Sequence, residues 1–167
     1  MLLTGTFERN VDEKLRLALP KPVRESVAGE PNPTVLYAAP GTDGSLALYP
    51  ERSFEALAEK LSNASPNAAG VRSYSRLFFA RAQRIEIDKS GRVRIPKELA
   101  DLAGINKAVV LVGVRDHIEL WDKQHWDGYL EENEPIYDQI AEQAFGVSQA
   151  ADTEPVTGGD ASKTLPR

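Results

Sequence analysis

Val11-Asp12-Glu13-Lys14-Leu15-Arg16-Leu17-Ala18-Leu19-Pro20-Lys21 returns 76 positions later as Ile87-Asp88-Lys89-Ser90-Gly91-Arg92-Val93-Arg94-Ile95-Pro96-Lys97. Asp12/Asp88, Arg16/Arg92, Pro20/Pro96 and Lys21/Lys97 recur in register, as do the apolar positions Val11/Ile87, Leu17/Val93, Leu19/Ile95 and Val23/Leu99. An internal repeat dictates architecture before any local reading does. Here it predicts two copies of one strand–turn–strand–helix unit, each aiming an arginine outward.

Working outward, Leu2–Phe7 is β-prone, and 9–20 reads as strand, turn, strand. Pro20 and Pro22 open a short helix that ends by Gly29, and Pro31 and Pro33 break the chain after it. Val35–Ala38 and Ser45–Tyr49 read as strands around Pro40–Gly44. A helix follows, with Phe54, Leu57 and Leu61 on one face. Residues 63–70 read as a loop and 71–81 as a second helix. The unit then restarts with a strand at Arg84–Ile87, a turn at Lys89–Gly91 and a strand at Val93–Ile95. Pro96 starts a helix with Gly104 just beyond it, and strands follow at 109–114 and 117–121. Asp122 opens a helix that Pro135 interrupts, and Ile136, Ile140 and Phe145 continue an acidic helical segment. From Ser148 the residues are small and polar without apolar period, which predicts disorder. The boundaries expected are therefore 1–62 for the first unit with its helix, 63–82 for a linker helix and 83–130 for the second unit. An acidic helical segment at 131–147 and a tail at 148–167 complete the chain.

A unit of four short strands struggles to bury a sufficient core alone. Pairing the copies solves this and predicts a β-rich α+β fold, an internal pseudo-dimer of interlocked hairpins with flanking helices. Arg16 and Arg92 then lie near a pseudo-twofold axis, matched to two points on a duplex.

The net charge of -5 divides unevenly: Asp116–Arg167 holds 12 acids against 3 Lys/Arg, while 1–115 holds 13 acids against 17 Lys/Arg. Arg72, Arg76, Arg81, Arg84, Lys89, Arg92, Arg94 and Lys97 surround the second copy, against Glu86 and Asp88. Local field attracts a polyanion, not total charge. Asp12 and Asp88 precede the turns, where a carboxylate can accept backbone N–H bonds. Gly91 suits positive φ. Arg92 leaves its turn with a planar fork suited to phosphate or a guanine edge, and Lys89, Arg94 and Lys97 add charge. A single Asp-x-x-x-Arg is more often a structural pair in a solvated turn, but repetition in register brings the two readings level.

From these residues onward the chain resembles the MraZ family of bacterial transcriptional regulators, built of two tandem SpoVT/AbrB-like swapped-hairpin domains. The resemblance runs from Thr4-Gly5-Thr6-Phe7 through both Asp-to-Pro motifs and Leu48-Tyr49-Pro50 to Leu111-Val112-Gly113 and Ile118-Glu119-Leu120-Trp121. It implies sequence-specific binding of double-stranded DNA at direct promoter repeats upstream of the division and cell-wall gene cluster, usually repressing the operon that contains the gene. It also implies a ring-like homo-oligomer and association with the nucleoid in the cytoplasm. The DNA-facing positions carried over are Lys14, Arg16, Lys89 and Arg92. Arg94 joins them on charge, and Asp12, Asp88 and Gly91 shape the turns.

One residue departs from the family pattern, which has glycine where this chain has Leu15. A left-handed conformation costs a residue with a Cβ roughly 1–2 kcal/mol, so the first turn either takes another shape or carries strain. Glu13 beside it opposes phosphate. Arg92 is thus expected to read DNA more strongly than Arg16, and Leu15→Gly to restore turn freedom and tighten binding.

Against an enzyme, His117 and His125 are eight apart, not a metal-ligand spacing, and there is no cysteine and no phosphate loop or dinucleotide fingerprint. Neither catalysis nor a metal or other cofactor is expected. No leader, and no apolar run approaching a membrane span, is expected either. The rival from another class is an AbrB-fold protein-interaction or assembly module without strong DNA binding, with Ile136, Ile140 and Phe145 as its face.

Overall fold

The computed structural model describes residues 1–28 and 34–151, of which 147–151 by backbone alone. The chain divides after Gly128: the described residues up to it form one compact unit that holds both copies of the repeat, and those from Tyr129 onward belong to another. In chain order the first unit runs β1 (Thr6–Asn10), β2 (Arg16–Ala18), α1 (Lys21–Val27), β3 (Val35–Pro40), β4 (Leu46–Pro50), α2 (Glu51–Ser62) and α3 (Ala69–Arg81). It continues with β5 (Gln83–Glu86), β6 (Arg92–Arg94), α4 (Lys97–Leu102), β7 (Ala108–Val114) and β8 (His117–Asp122).

Strand pairing crosses between the copies. A six-stranded sheet has the order β1-β7-β8-β4-β3-β5, and β2 and β6 form a separate two-stranded ribbon. The first strand of each copy is thus traded: β1 lies on β7 of the second half, with Glu8 opposite Val110, and β5 lies on β3 of the first, with Arg84 opposite Tyr37. In the ribbon Leu17 pairs with Val93, its own counterpart in the repeat, so the pseudo-twofold axis passes between them. In the large sheet Leu46 faces Leu120 and Leu48 faces Ile118. These two pairs exchange under the same rotation, with Ala47 and Glu119 between them. The fold is an α+β internal pseudo-dimer of two swapped hairpin units.

The swap follows from burial. Leu17, Val93, Leu36, Leu46, Leu48, Leu99, Leu111, Ile118 and Leu120 are buried in one continuous core drawn from both halves. Neither half closes such a core alone, because each would leave the inner face of its ribbon strand in water. Proline sets both short helices: Pro20 and Pro96 stand directly before α1 and α4 with φ near -57° and -58°, where the missing N–H costs nothing. On the outer side, α2 and α3 enclose aromatic rings, with Tyr37 stacked on Phe54 at 4.3 Å and Phe78 buried against Tyr49. Trp121 is buried and meets Trp126 edge-on at 5.3 Å.

Strand ends shift by one or two residues from the sequence reading, and three further boundaries differ for a physical reason. The first strand is Thr6–Asn10, not Leu2–Phe7, because its register is set by β7; Leu3 is buried and reaches Arg115 through one isolated bridge. The helix expected at 71–81 begins at Ala69, since Gly70 in a first turn interrupts no hydrogen bond. The last helix runs to Ala151, beyond Ser148, on residues such as Gln149 and Ala150 that favour helix. The expected helix end at Gly29, the break at Pro31 and Pro33 and the tail after 151 lie outside the described residues.

In the second unit, α5 (Lys123–Asn133), which starts in the first, gives way at Pro135 to a single 3-10 turn, Glu134–Ile136. Then α6 (Tyr137–Ala151) continues. Asp122 accepts the Gln124 backbone N–H at 3.2 Å, the capping bond expected where it opens α5.

Candidate nucleic-acid interface

The two repeated turns have one geometry. In the first, the Leu15 N–H donates to the Asp12 carbonyl at 2.9 Å; in the second, the Gly91 N–H donates to the Asp88 carbonyl at 2.9 Å. Asp12 Oδ1 accepts the backbone N–H groups of Lys14 at 2.9 Å and Arg16 at 2.8 Å. Asp88 Oδ1 accepts those of Ser90 at 2.8 Å and Arg92 at 3.0 Å. The second carboxylate oxygen takes the arginine Nε, at 2.7 Å for Arg16 and 3.2 Å for Arg92. A carboxylate so surrounded is stabilised as the anion. The backbone bond from Arg16 is the main cause holding Asp12 below its usual range, and that from Arg92 does the same for Asp88.

This spacing has a chemical consequence. The aspartate grips the arginine side-on through Nε, which fixes the guanidinium plane. Among the described residues, neither arginine's Nη groups carry a hydrogen bond. The free end of each fork is the edge that binds phosphate or guanine bidentately. Both side chains are 37% exposed, so the forks are partly desolvated yet reachable.

Leu15 resolves one of the two alternatives left open above. Its φ is +59°, beside +75° for Gly91, so the first turn keeps the glycine shape and carries the strain. The side chain is half-buried against the core, which offsets that cost. Its carbonyl accepts the Ile95 N–H at 2.8 Å, and the Gly91 carbonyl accepts the Leu19 N–H at 3.0 Å. Each turn is therefore fastened to the other half of the chain.

The ribbon carries the charge. Arg16 is directly opposite Arg94, and Ala18 is opposite Arg92. Alternation along a strand places these four on the outward face, while Leu17 and Val93 point inward and are buried. Like charges directly opposite one another destabilise a sheet, and the Asp12 carboxylate on Arg16 offsets part of that cost here. Arg94, near the second motif in sequence, is thus brought to the first turn. Lys14 and Lys89 are exposed in the turns, and Gly91 is buried beneath the side chain of Arg24. Arg24 was not among the sequence candidates, because its counterpart 76 positions on is Ala100 and the repeat gave no signal there.

All the expected site residues, Asp12, Lys14, Arg16, Asp88, Lys89, Gly91, Arg92 and Arg94, sit on or beside this one ribbon. Among the described residues no group of three or more His, Asp or Glu lies close enough to hold a metal ion, and no helix is long and apolar enough to cross a membrane.

A tandem pair of AbrB-like swapped hairpins, sharing one arginine-faced ribbon, is the class of protein that this fold and site define. The family model described as MraZ protein, putative antitoxin-like, matches residues 2–76 and again 78–148. The chain belongs to the MraZ family. It is 36% identical over 145 residues to the transcriptional regulator MraZ of Mesoplasma florum, covering 87% of this chain and 97% of that one. It is 37% identical to the proteins of that name from Symbiobacterium thermophilum, over 83% of this chain and 96% of that one, and Thermobifida fusca, over 86% and 97%.

Proposed function

We propose that this chain is a DNA-binding transcriptional regulator, not an enzyme, which presents the β2·β6 ribbon and its two turns to duplex DNA. Arg16, Arg92 and Arg94 contact the duplex from the ribbon face and Lys14 and Lys89 from the turns. Asp12, Asp88 and Gly91 hold the shape. The observation that carries this reading is the three-arginine face with two forks tethered, among the described residues, only through Nε. A two-stranded ribbon fits the major groove, and a bidentate arginine on guanine is its commonest specific contact. The names of the relatives agree with this reading. Its finer form is binding to direct repeats in the promoter of the division and cell-wall gene cluster, repression of the chain's own operon, and assembly as a ring on the nucleoid.

A mobility-shift titration tests it, using the DNA upstream of the chain's own gene and an unrelated duplex of equal length at several salt concentrations. Tighter binding to the upstream DNA is expected, with affinity falling steeply as salt rises. Equal, weak binding to both duplexes would overturn the reading and favour a protein-assembly module.

A further inference from the structure

The second turn holds a cation that neither motif supplies. A Cβ built on Gly91 would lie 2.6 Å from Arg24 Nη1, 2.8 Å from its Cδ and 3.0 Å from its Cζ. The Arg24 guanidinium therefore lies directly on the bare glycine of the turn, one residue before Arg92. Any side chain at residue 91 would displace it. Arg24 is exposed and comes from α1, in the first half of the chain.

Its neighbours are committed differently. Lys21 of the same helix lies 3.6 Å from Glu25, and Lys97 of α4 lies 2.7 Å from Asp101. Among the described residues no carboxylate pairs with Arg24. In the first turn's arrangement the repeat counterpart of Arg24 is Ala100, buried on α4. There the turn residue is Leu15, whose side chain is half-buried, and the added cation is Arg94, opposite Arg16.

We propose that Arg24 is a further DNA-contacting residue, a phosphate-binding cation that completes the second turn from the opposite half of the chain. This rests on the reading of the ribbon as the DNA-facing surface. Each turn then receives one arginine across the swap by a different route: Arg94 along the ribbon to the first turn, and Arg24 from α1 over Gly91 to the second. Glycine at 91 is needed for φ and also to seat this guanidinium. At the first turn the helix residue that corresponds to Arg24 is Ala100, and the turn residue is Leu15.

The test measures binding to the upstream duplex across a salt series for wild type, Arg24→Met and Arg24→Lys. Methionine keeps an unbranched apolar stem over Gly91 without the charge. The expected result is about tenfold weaker binding for Arg24→Met, with a salt slope smaller by about one. Arg24→Lys should keep the wild-type slope, and both should keep the wild-type thermal midpoint. Arg24→Met with wild-type affinity and slope would overturn the proposal. So would equal loss in both variants at unchanged slope, since that marks a packing role. Wild type that binds the upstream duplex no better than an unrelated one would overturn the DNA reading itself, and this proposal with it.

Discussion

The two turns of this molecule are alike in shape and unlike in composition. Asp12–Arg16 and Asp88–Arg92 share every turn hydrogen bond, the same aspartate grip on arginine Nε and a positive φ at the fourth residue. Yet the first has Glu13 and Leu15 where the second has Lys89 and Gly91. Geometry here is set from outside the turn, by the cross-bonds to Ile95 and Leu19 and by the paired Leu17 and Val93 beneath. A residue that disfavours the conformation is carried by a frame that over-determines it. Composition then changes charge, not shape.

The largest expected effect is one that breaks both turns together. Leu17→Ala removes a fully buried side chain on the pseudo-axis and should cost about 2–5 kcal/mol by urea denaturation. Hydrogen exchange at the Leu19 and Ile95 amides should speed up in parallel, because each bonds the opposite turn. Loosening of only one of them would mean that the halves are less interlocked than the pairing indicates.

Arg94→Ala separates the turns. It removes the cation opposite Arg16 and leaves the Asp88 grip on Arg92 intact. DNA affinity should fall with a salt slope smaller by about one. Thermal stability should rise slightly, by about 0.2–1 kcal/mol, as the like-charge pair is relieved. Loss of stability instead would contradict a strained arginine face.

Acid should affect both turns alike. Asp12 and Asp88 have folded pKa values below the unfolded carboxylate value near 4. Their stabilisation is therefore complete above that value and is lost as pH falls through the lower folded one. Carboxyl signals followed by NMR should show both titrating together in acid, with no change between neutral pH and about 5. A titration near neutrality at either aspartate would overturn the shared geometry.

Leu15→Gly gives the smallest effect. Relief of about 1–2 kcal/mol of backbone strain opposes the loss of roughly 1 kcal/mol from a half-buried leucine. The thermal midpoint should move by only a few degrees, and DNA affinity should stay within a few-fold, because the turn already has the glycine conformation. A large gain in affinity would show that Leu15 distorts the bound state.

The repeat made the fold legible: residues in register 76 apart, with apolar positions between them, require two equivalent units and a shared core. It also located both turns and the two arginines. It could not say which strand each strand pairs with, because the apolar alternation marks the face that is buried and not the neighbour beside it. For that reason Arg94 reads in sequence as a neighbour of Arg92 and in space as the partner of Arg16. Arg24 was invisible for a different reason: it acts on a turn 67 residues away, and its repeat counterpart is alanine. Leu15 was legible as a conflict but not as an outcome, since the frame that settles it lies in the other half of the chain.

The measurement that bears most directly on the ribbon as a DNA-reading surface is the affinity of Arg16→Ala, Arg92→Ala and the double variant for the upstream duplex at graded salt. Each single change should weaken binding by about 1–3 kcal/mol, by similar amounts for the two turns because they share one shape, where composition alone favoured Arg92. The double variant should fall to the level of an unrelated duplex, with its fold intact by circular dichroism. Wild-type affinity and salt slope in the double variant would contradict the account.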